Sequence, residues 1–174
     1  MSKQLHLQQE KRKRQNMIEQ IDDIEKEIDV EIVLALMSGK VTNAINRRLS
    51  RDLHKAQIDI SPAQANILFV LWRNDGIIEK KISTATYKDK PSITRVIDNM
   101  EKMGLVCRKK APKDRRINRI FLTEKAQQMK TKVKEVARQT VNDAFKGLDD
   151  KEISDVQRLM KMIFNNLEMS EGSI

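Results

Sequence analysis

Between Pro91 and Thr123 the hydrophobic spacing switches from helical to alternating and back, around a block of cations. Ile93, Val96, Ile97, Met100 and Met103 recur at three and four residues, the spacing of one buried helix face. Gly104 stops that helix, because glycine enters the left-handed region without a Cβ penalty. Leu105 to Arg108 and Ile117 to Leu122 then read as two strands, with Leu105, Cys107, Ile120 and Leu122 turned inward. Ala111 to Arg116 is the turn between them. A helix followed at once by so short a hairpin constrains the fold: the hairpin lies beside the helix as a small wing.

The flanks read as helices. Ser61 is a good N-cap, Pro62 suits the first helical position, and Gln64 completes a capping box. Ile67, Leu68, Leu71 and Trp72 form that helix's inner face. Asn74 to Gly76 is a turn, Ile77 and Ile78 a short strand, and Glu79 to Tyr87 a short helix with Ile82 and Ala85 inward. Upstream, Met17, Ile21, Ile24, Ile28, Ile32 and Leu36 share one face; Ser38 and Gly39 bend or end that helix before Ala44, Ile45, Leu49, Leu53 and Ala56 resume. Downstream, Thr123 caps a long helix running to about Lys146. Asp149 with Glu152 caps a last one, carrying Ile153, Val156, Leu159, Met160, Ile163 and Leu167.

The fold class is therefore mainly α with a small β-wing. The expected organisation is an extension over residues 1–30, a helix at 31–57, a helix-and-wing unit at 58–122, closing helices at 123–168 and a tail at 169–174. The terminal helices carry apolar stripes that need each other or a second copy of the chain.

Composition narrows the function. With 34 Lys and Arg against 25 Asp and Glu, the 174-residue chain has a formal charge of +9, which favours an anionic partner. No apolar run is long enough to span a membrane. No signal-like segment follows the N-terminal basic run Lys11 to Arg14, so the expected location is the cytoplasm. One cysteine forms no intrachain disulfide, and two His with one Cys make a poor zinc set. There is no phosphate loop and no nucleophile elbow, so neither enzyme chemistry nor a cofactor is expected.

Burying the stripe of the helix after Lys90 leaves Ser92, Thr94, Arg95, Asn99 and Lys102 outward. Hydroxyls, an amide and a guanidinium are groups that read base edges or grip phosphates. The N-terminus of the helix, at Pro91, also offers free N–H groups to a phosphate. Arg108, Lys109, Lys110, Lys113, Arg115, Arg116 and Arg119 crowd the hairpin, with Asp114 alone opposing them. Arginine suits the narrow, negative minor groove. Asp114 is expected to shape the turn and Asp98 to pair with a wing arginine. Trp72 and Cys107 read as packing residues and His54 as exposed.

The ordered pieces Ser61-Pro62-Ala63-Gln64, Asp89-Lys90-Pro91-Ser92-Ile93-Thr94-Arg95-Val96-Ile97-Asp98, Met103-Gly104-Leu105-Val106, Asp114-Arg115-Arg116 and Leu122-Thr123-Glu124-Lys125 resemble the MarR (multiple-antibiotic-resistance regulator) family of transcription factors. The resemblance covers roughly residues 31–168. It implies a winged helix-turn-helix homodimer, an expected repressor, on a pseudo-palindromic double-stranded DNA operator, with a small-molecule effector as a candidate further partner. It places Ser92, Thr94 and Arg95 in the major groove and Arg116 in the minor groove, with Asp114 as the wing acid. Three departures stand out: Ile82-Ser83 replaces a usual Leu-Ala, Ala126 replaces a common Gly, and residues 1–30 exceed the family's length. The alternative is a sequence-nonspecific architectural DNA-binding protein.

Overall fold

The structure, a computed structural model, describes residues 30–110 and 118–170. The chain divides into two compact units, residues 1–44 and 45–174. In order, the described elements are α1 (Val30–Lys55), α2 (Pro62–Arg73), β1 (Ile77–Ile78), α3 (Glu79–Thr86), α4 (Lys90–Lys102), β2 (Val106–Lys110), β3 (Asn118–Leu122), α5 (Glu124–Gln128), α6 (Lys130–Ala144) and α7 (Asp150–Ser170).

In the first unit the described segment is the leading part of α1. Ser38 and Gly39 do not end the helix, which runs on through them. The Ser38 hydroxyl donates to the Ala35 carbonyl and Thr42 Oγ1 to the Ser38 carbonyl, so both hydroxyls bond back onto the helix. Ile32, Leu34, Leu36 and Val41 are exposed along it. The stripe positions Met17 to Ile28 lie outside the described residues.

The second unit is built around Leu53, Leu68, Leu71, Ile82, Ile93, Ile97, Met100 and Ile120, all fully buried or nearly so. Its sheet has the order β1-β3-β2, every pair antiparallel. Ser61 and Gln64 form the expected capping box on α2, and Asp149 and Glu152 exchange the reciprocal bonds of the second one. The helix expected from Thr123 to Lys146 is interrupted: Thr123 caps α5, and Met129 separates it from α6. Trp72 packs against the core and donates Nε1–H to the Ala126 carbonyl at 3.2 Å, holding α5 on α2. Ala85, expected inward, is exposed; His54 is exposed, as expected.

Ile120 and Leu122 of β3 turn inward as expected, but the inward parity of β2 is opposite to the sequence reading. Val106 pairs with Leu122 and Arg108 with Ile120, while Cys107 sits opposite Phe121 on the other face. Cys107 is thus half-buried rather than a core residue. A charged residue at an inward position hides the alternation, and a one-residue slip of parity turns over the whole strand.

The turn into β1 depends on one glycine. Gly76 has φ +68°, and a Cβ there would lie 2.5 Å from Phe121 Cε1. Asp75 Oδ1 accepts from both Gly76 N–H and Leu122 N–H, at 2.9 Å each, tying the turn to the wing. Gly76→Ala should cost about 2–3 kcal/mol, from the left-handed penalty plus displacement of the ring. Thermal unfolding should register this as a midpoint lower by about 4–12 °C; an unchanged midpoint would show that the turn relaxes freely.

Candidate nucleic-acid interface

Helix α4 starts at Lys90 because Asp89 caps it. Asp89 Oδ1 accepts the Ser92 N–H at 2.8 Å, and Oδ2 accepts the Ser92 hydroxyl at 2.7 Å. The signal is local: an N-cap acid two residues before a proline. The cap also corrects the expected phosphate site. Pro91 has no N–H, the Ser92 N–H is taken by Asp89, and Ile93 N–H bonds to the Asp89 carbonyl. The chain's own carboxylate occupies the place offered to a phosphate.

Hydrogen bonds from the Ser92 hydroxyl and then the Ser92 backbone N–H hold the Asp89 carboxyl below its ordinary pKa, with the Arg95 charge assisting. A group whose folded pKa is depressed contributes stability above its unfolded value of about 4 and loses it as pH falls through the depressed value. Amide exchange in the first turn of α4 should therefore stay constant, after correction for intrinsic rates, from pH 7 to 5. Asp89→Ala should exchange faster throughout that range. Equal protection in the two proteins would remove the cap from the account.

Of the residues expected to read DNA, Pro91, Arg95 and Asn99 are exposed and Ser92 and Thr94 half-buried. Arg95 makes no hydrogen bond or ion pair among the described residues. Thr94 is tied down: its hydroxyl lies 3.0 Å from both Glu79 Oε2 and the Lys90 carbonyl. Asn99 Oδ1 accepts from Gln64 Nε2 at 2.6 Å. Lys110 is exposed at the end of β2. Lys113, Asp114, Arg115 and Arg116 lie outside the described residues.

Two members of the expected cationic cluster have other work. Arg119 donates to the Gly76 carbonyl at 2.8 Å. Arg108 turns under the wing and meets three carboxylates: Nε to Glu79 at 3.1 Å, Nη2 to Asp98 at 2.6 Å and Nη1 to Glu101 at 2.5 Å. Glu101 also accepts the Arg108 backbone N–H at 3.0 Å. Asp98 thus pairs with a wing arginine, as expected. Burial opposes the charge on Arg108, but its bonds to Asp98, Glu101 and Glu79 outweigh that and raise its pKa. Sequence reasoning misses Glu79 and Glu101, because no local spacing shows that α3, α4 and β2 converge. Remaining on the outer side of β2, Lys109 lies over the Phe121 ring, 5.2 Å from its centroid.

Farther back, Arg48 bonds Asp52 at 2.7 Å and Asp143 at 2.5 Å, and Thr140 donates to Asp52 at 3.0 Å. This network joins the end of α1 to α6. Helix α7 meets the end of α3 in an aromatic pair: Tyr87, in a left-handed C-cap of α3, meets Phe164 edge-on at 4.6 Å. Val156, Leu159, Met160, Ile163 and Leu167 recur on α7 at helical spacing and are 42–66% exposed. Among the described residues, no helix is long and apolar enough to cross a membrane, and no group of three or more His, Cys, Asp or Glu is placed to hold a metal.

Comparison with known proteins agrees with this geometry. Residues 60–117 match the MarR family model. The HTH-type transcriptional repressor IacR of Pseudomonas putida is 28% identical over 135 residues, covering 78% of this chain and 77% of the relative. In fold, the chain is similar to a mutant MarR from E. coli complexed with operator DNA, with TM-score 0.71, 22% identity, and 78% and 99% of the two chains covered. It is also similar to the organohalide-sensing regulator RdhR in its 2,4-dichlorophenol-bound form, with TM-score 0.73, 19% identity, and 81% and 83% covered. The capped α4, the wing strutted onto it and the flanking helices are those of a winged helix-turn-helix, and the chain is similar to MarR-family transcriptional regulators, through the family model over residues 60–117.

Proposed function

We propose that the protein is a homodimeric, sequence-specific double-stranded DNA-binding transcriptional repressor, released from its operator by a small-molecule effector and acting in the cytoplasm without catalysis. The observation that carries this reading is α4 itself: an outward Arg95 that no hydrogen bond ties down among the described residues, on a helix fixed at one end by Asp89 and along its length by Arg108. A rigid element with free donors is what base reading needs.

In this reading residues 58–122 form the DNA-binding unit, while residues 31–57 and 123–168 form the dimerisation regions. Pro91, Ser92, Thr94, Arg95 and Asn99 face the major groove. Lys110, Lys113, Arg115 and Arg116 meet phosphates and the minor groove, with Asp114 shaping the wing. The exposed stripe on α7 is covered by a second copy, because an apolar stripe of that length is not left in water. Two copies then set the recognition helices about 34 Å apart, one turn of B-DNA. An effector favouring a dimer of different spacing releases the DNA. The Tyr87–Phe164 pair is one contact through which a shift of α7 reaches the turn before α4.

Competition against random duplex tests the proposal and separates it from an architectural DNA-coating protein. A repressor should prefer a selected site by about a thousandfold or more. Arg116→Ala should weaken binding to all sequences alike, while Arg95→Ala should change which bases are preferred. No preference over random duplex would favour the architectural reading.

A further inference from the structure

Gln64 is 6% exposed, and every polar group of its amide is engaged. Its Oε1 accepts the Ser61 backbone N–H at 2.7 Å. A backbone N–H only donates, so this bond fixes which end of the amide is oxygen. Nε2 must then point the other way, where it donates to Asn99 Oδ1 at 2.6 Å and to Met103 Sδ at 3.2 Å. The same logic passes to Asn99. Facing a donor, it must turn its oxygen inward, which leaves Nδ2 without a partner among the described residues. The orientation of an exposed amide on α4 is therefore set by a helix cap on α2, two hydrogen bonds away.

We infer that Gln64 is a positioning residue that makes Asn99 a hydrogen-bond donor toward DNA, so that Asn99 selects acceptor-bearing base edges. This rests on the proposed DNA-reading function. In the major groove, guanine offers N7 and O6 and thymine offers O4, all acceptors. Adenine N7 also accepts, but the amino groups of adenine N6 and cytosine N4 are donors that Nδ2 cannot satisfy, so the discrimination is of O6 or O4 against an amino group. An unrestrained asparagine often takes adenine with both ends of its amide; here the oxygen end is already engaged by Gln64.

The relay makes a polarity test available without a change of shape. In Gln64→Glu one carboxylate oxygen still accepts from Ser61, while the other faces Asn99 and forces its amide to turn over, presenting oxygen to the duplex. In Asn99→Asp the inner oxygen still accepts from Gln64, and the outer one presents an acceptor directly. Each full-length protein is used to select sites from a random duplex pool, and base preferences are compared position by position.

The wild-type protein should favour guanine or thymine at one position of each half-site, by about tenfold. Both variants should reverse that position toward adenine or cytosine while leaving the others ranked as before, and Asn99→Ala should flatten it. A purely structural role for Gln64 lowers affinity evenly and keeps the ranking. Should Gln64→Glu fail to fold, the exposed Asn99→Asp still decides. Unchanged base ranking in the variants, or a uniform loss of affinity, overturns the assignment of Asn99. A wild-type pool that enriches no sequence rejects the DNA-reading function itself, which is a separate outcome.

Discussion

Arg108→Ala should lower operator affinity by about a hundredfold without removing a DNA contact. Arg108 points under the wing, where Glu79, Asp98 and Glu101 take its three nitrogens. Removing it leaves three carboxylates together at the base of an interface meant for phosphates. Breaking a fully buried pair costs about 3–5 kcal/mol. Here the Asp98 and Glu101 side chains are 51% and 39% exposed, so solvent recovers part of that, and a stability loss of about 2–3 kcal/mol is expected. The wing also loses the strut that fixes it to α4, and with it the pre-set geometry on which affinity depends.

Salt dependence separates this role from a direct contact. Each phosphate contact contributes about 0.9 to the slope of log affinity against log salt. Arg108→Ala should leave the slope unchanged while lowering affinity at every salt concentration. Lys110→Ala, at the exposed end of β2, should lower the slope by about one with little loss of stability. Arg108→Lys should fall between wild type and alanine, since an ammonium lacks the planar fork that meets three acids at once. A reduced slope together with unchanged stability in Arg108→Ala would make Arg108 a DNA ligand and end the strut account.

The second large effect lies at the far end of the chain. Leu159→Glu with Ile163→Glu should give a folded monomer with operator affinity reduced about 100- to 10,000-fold. Both residues are exposed on the α7 stripe and absent from the core, so the substitutions spare the packing of the reading unit. In the dimer they place like charges in an apolar seam, which two copies cannot bury. Linking two half-site readers makes the second contact intramolecular and raises affinity by the factor now lost. Sedimentation gives the oligomeric state, circular dichroism the retained helix, and anisotropy the affinity. A dimer that persists, or a monomer that binds as tightly as wild type, would show that the stripe is not the seam.

What the sequence reveals and what it hides follow from the range of the forces involved. Capping boxes, the helical stripe of α4 and the helix–hairpin order depend on residues three or four apart, and they are legible. The parity of β2 is not, because Arg108 occupies an inward position that alternation reserves for apolar residues. The carboxylates that justify it come from α3 and from later turns of α4, too distant to be seen as a pattern. The helix N-terminus reads as a phosphate site only while Asp89 goes unrecognised as its cap, and that cap is a local signal, available without the fold. Asn99 is legible as outward, but its partner Gln64 lies 35 residues away, so its orientation requires the fold. The wing-tip residues Lys113 to Arg116 rest on the sequence alone.

The central claim is that two copies hold their recognition helices at the pitch of B-form DNA. A spacing series on the selected operator tests it most directly. Inserting about five base pairs between the half-sites rotates one of them by half a turn and moves it to the opposite face of the duplex. The account predicts that affinity then falls to that of a single half-site, by a hundredfold or more, at unchanged base composition. Affinity that is indifferent to the insertion would contradict it.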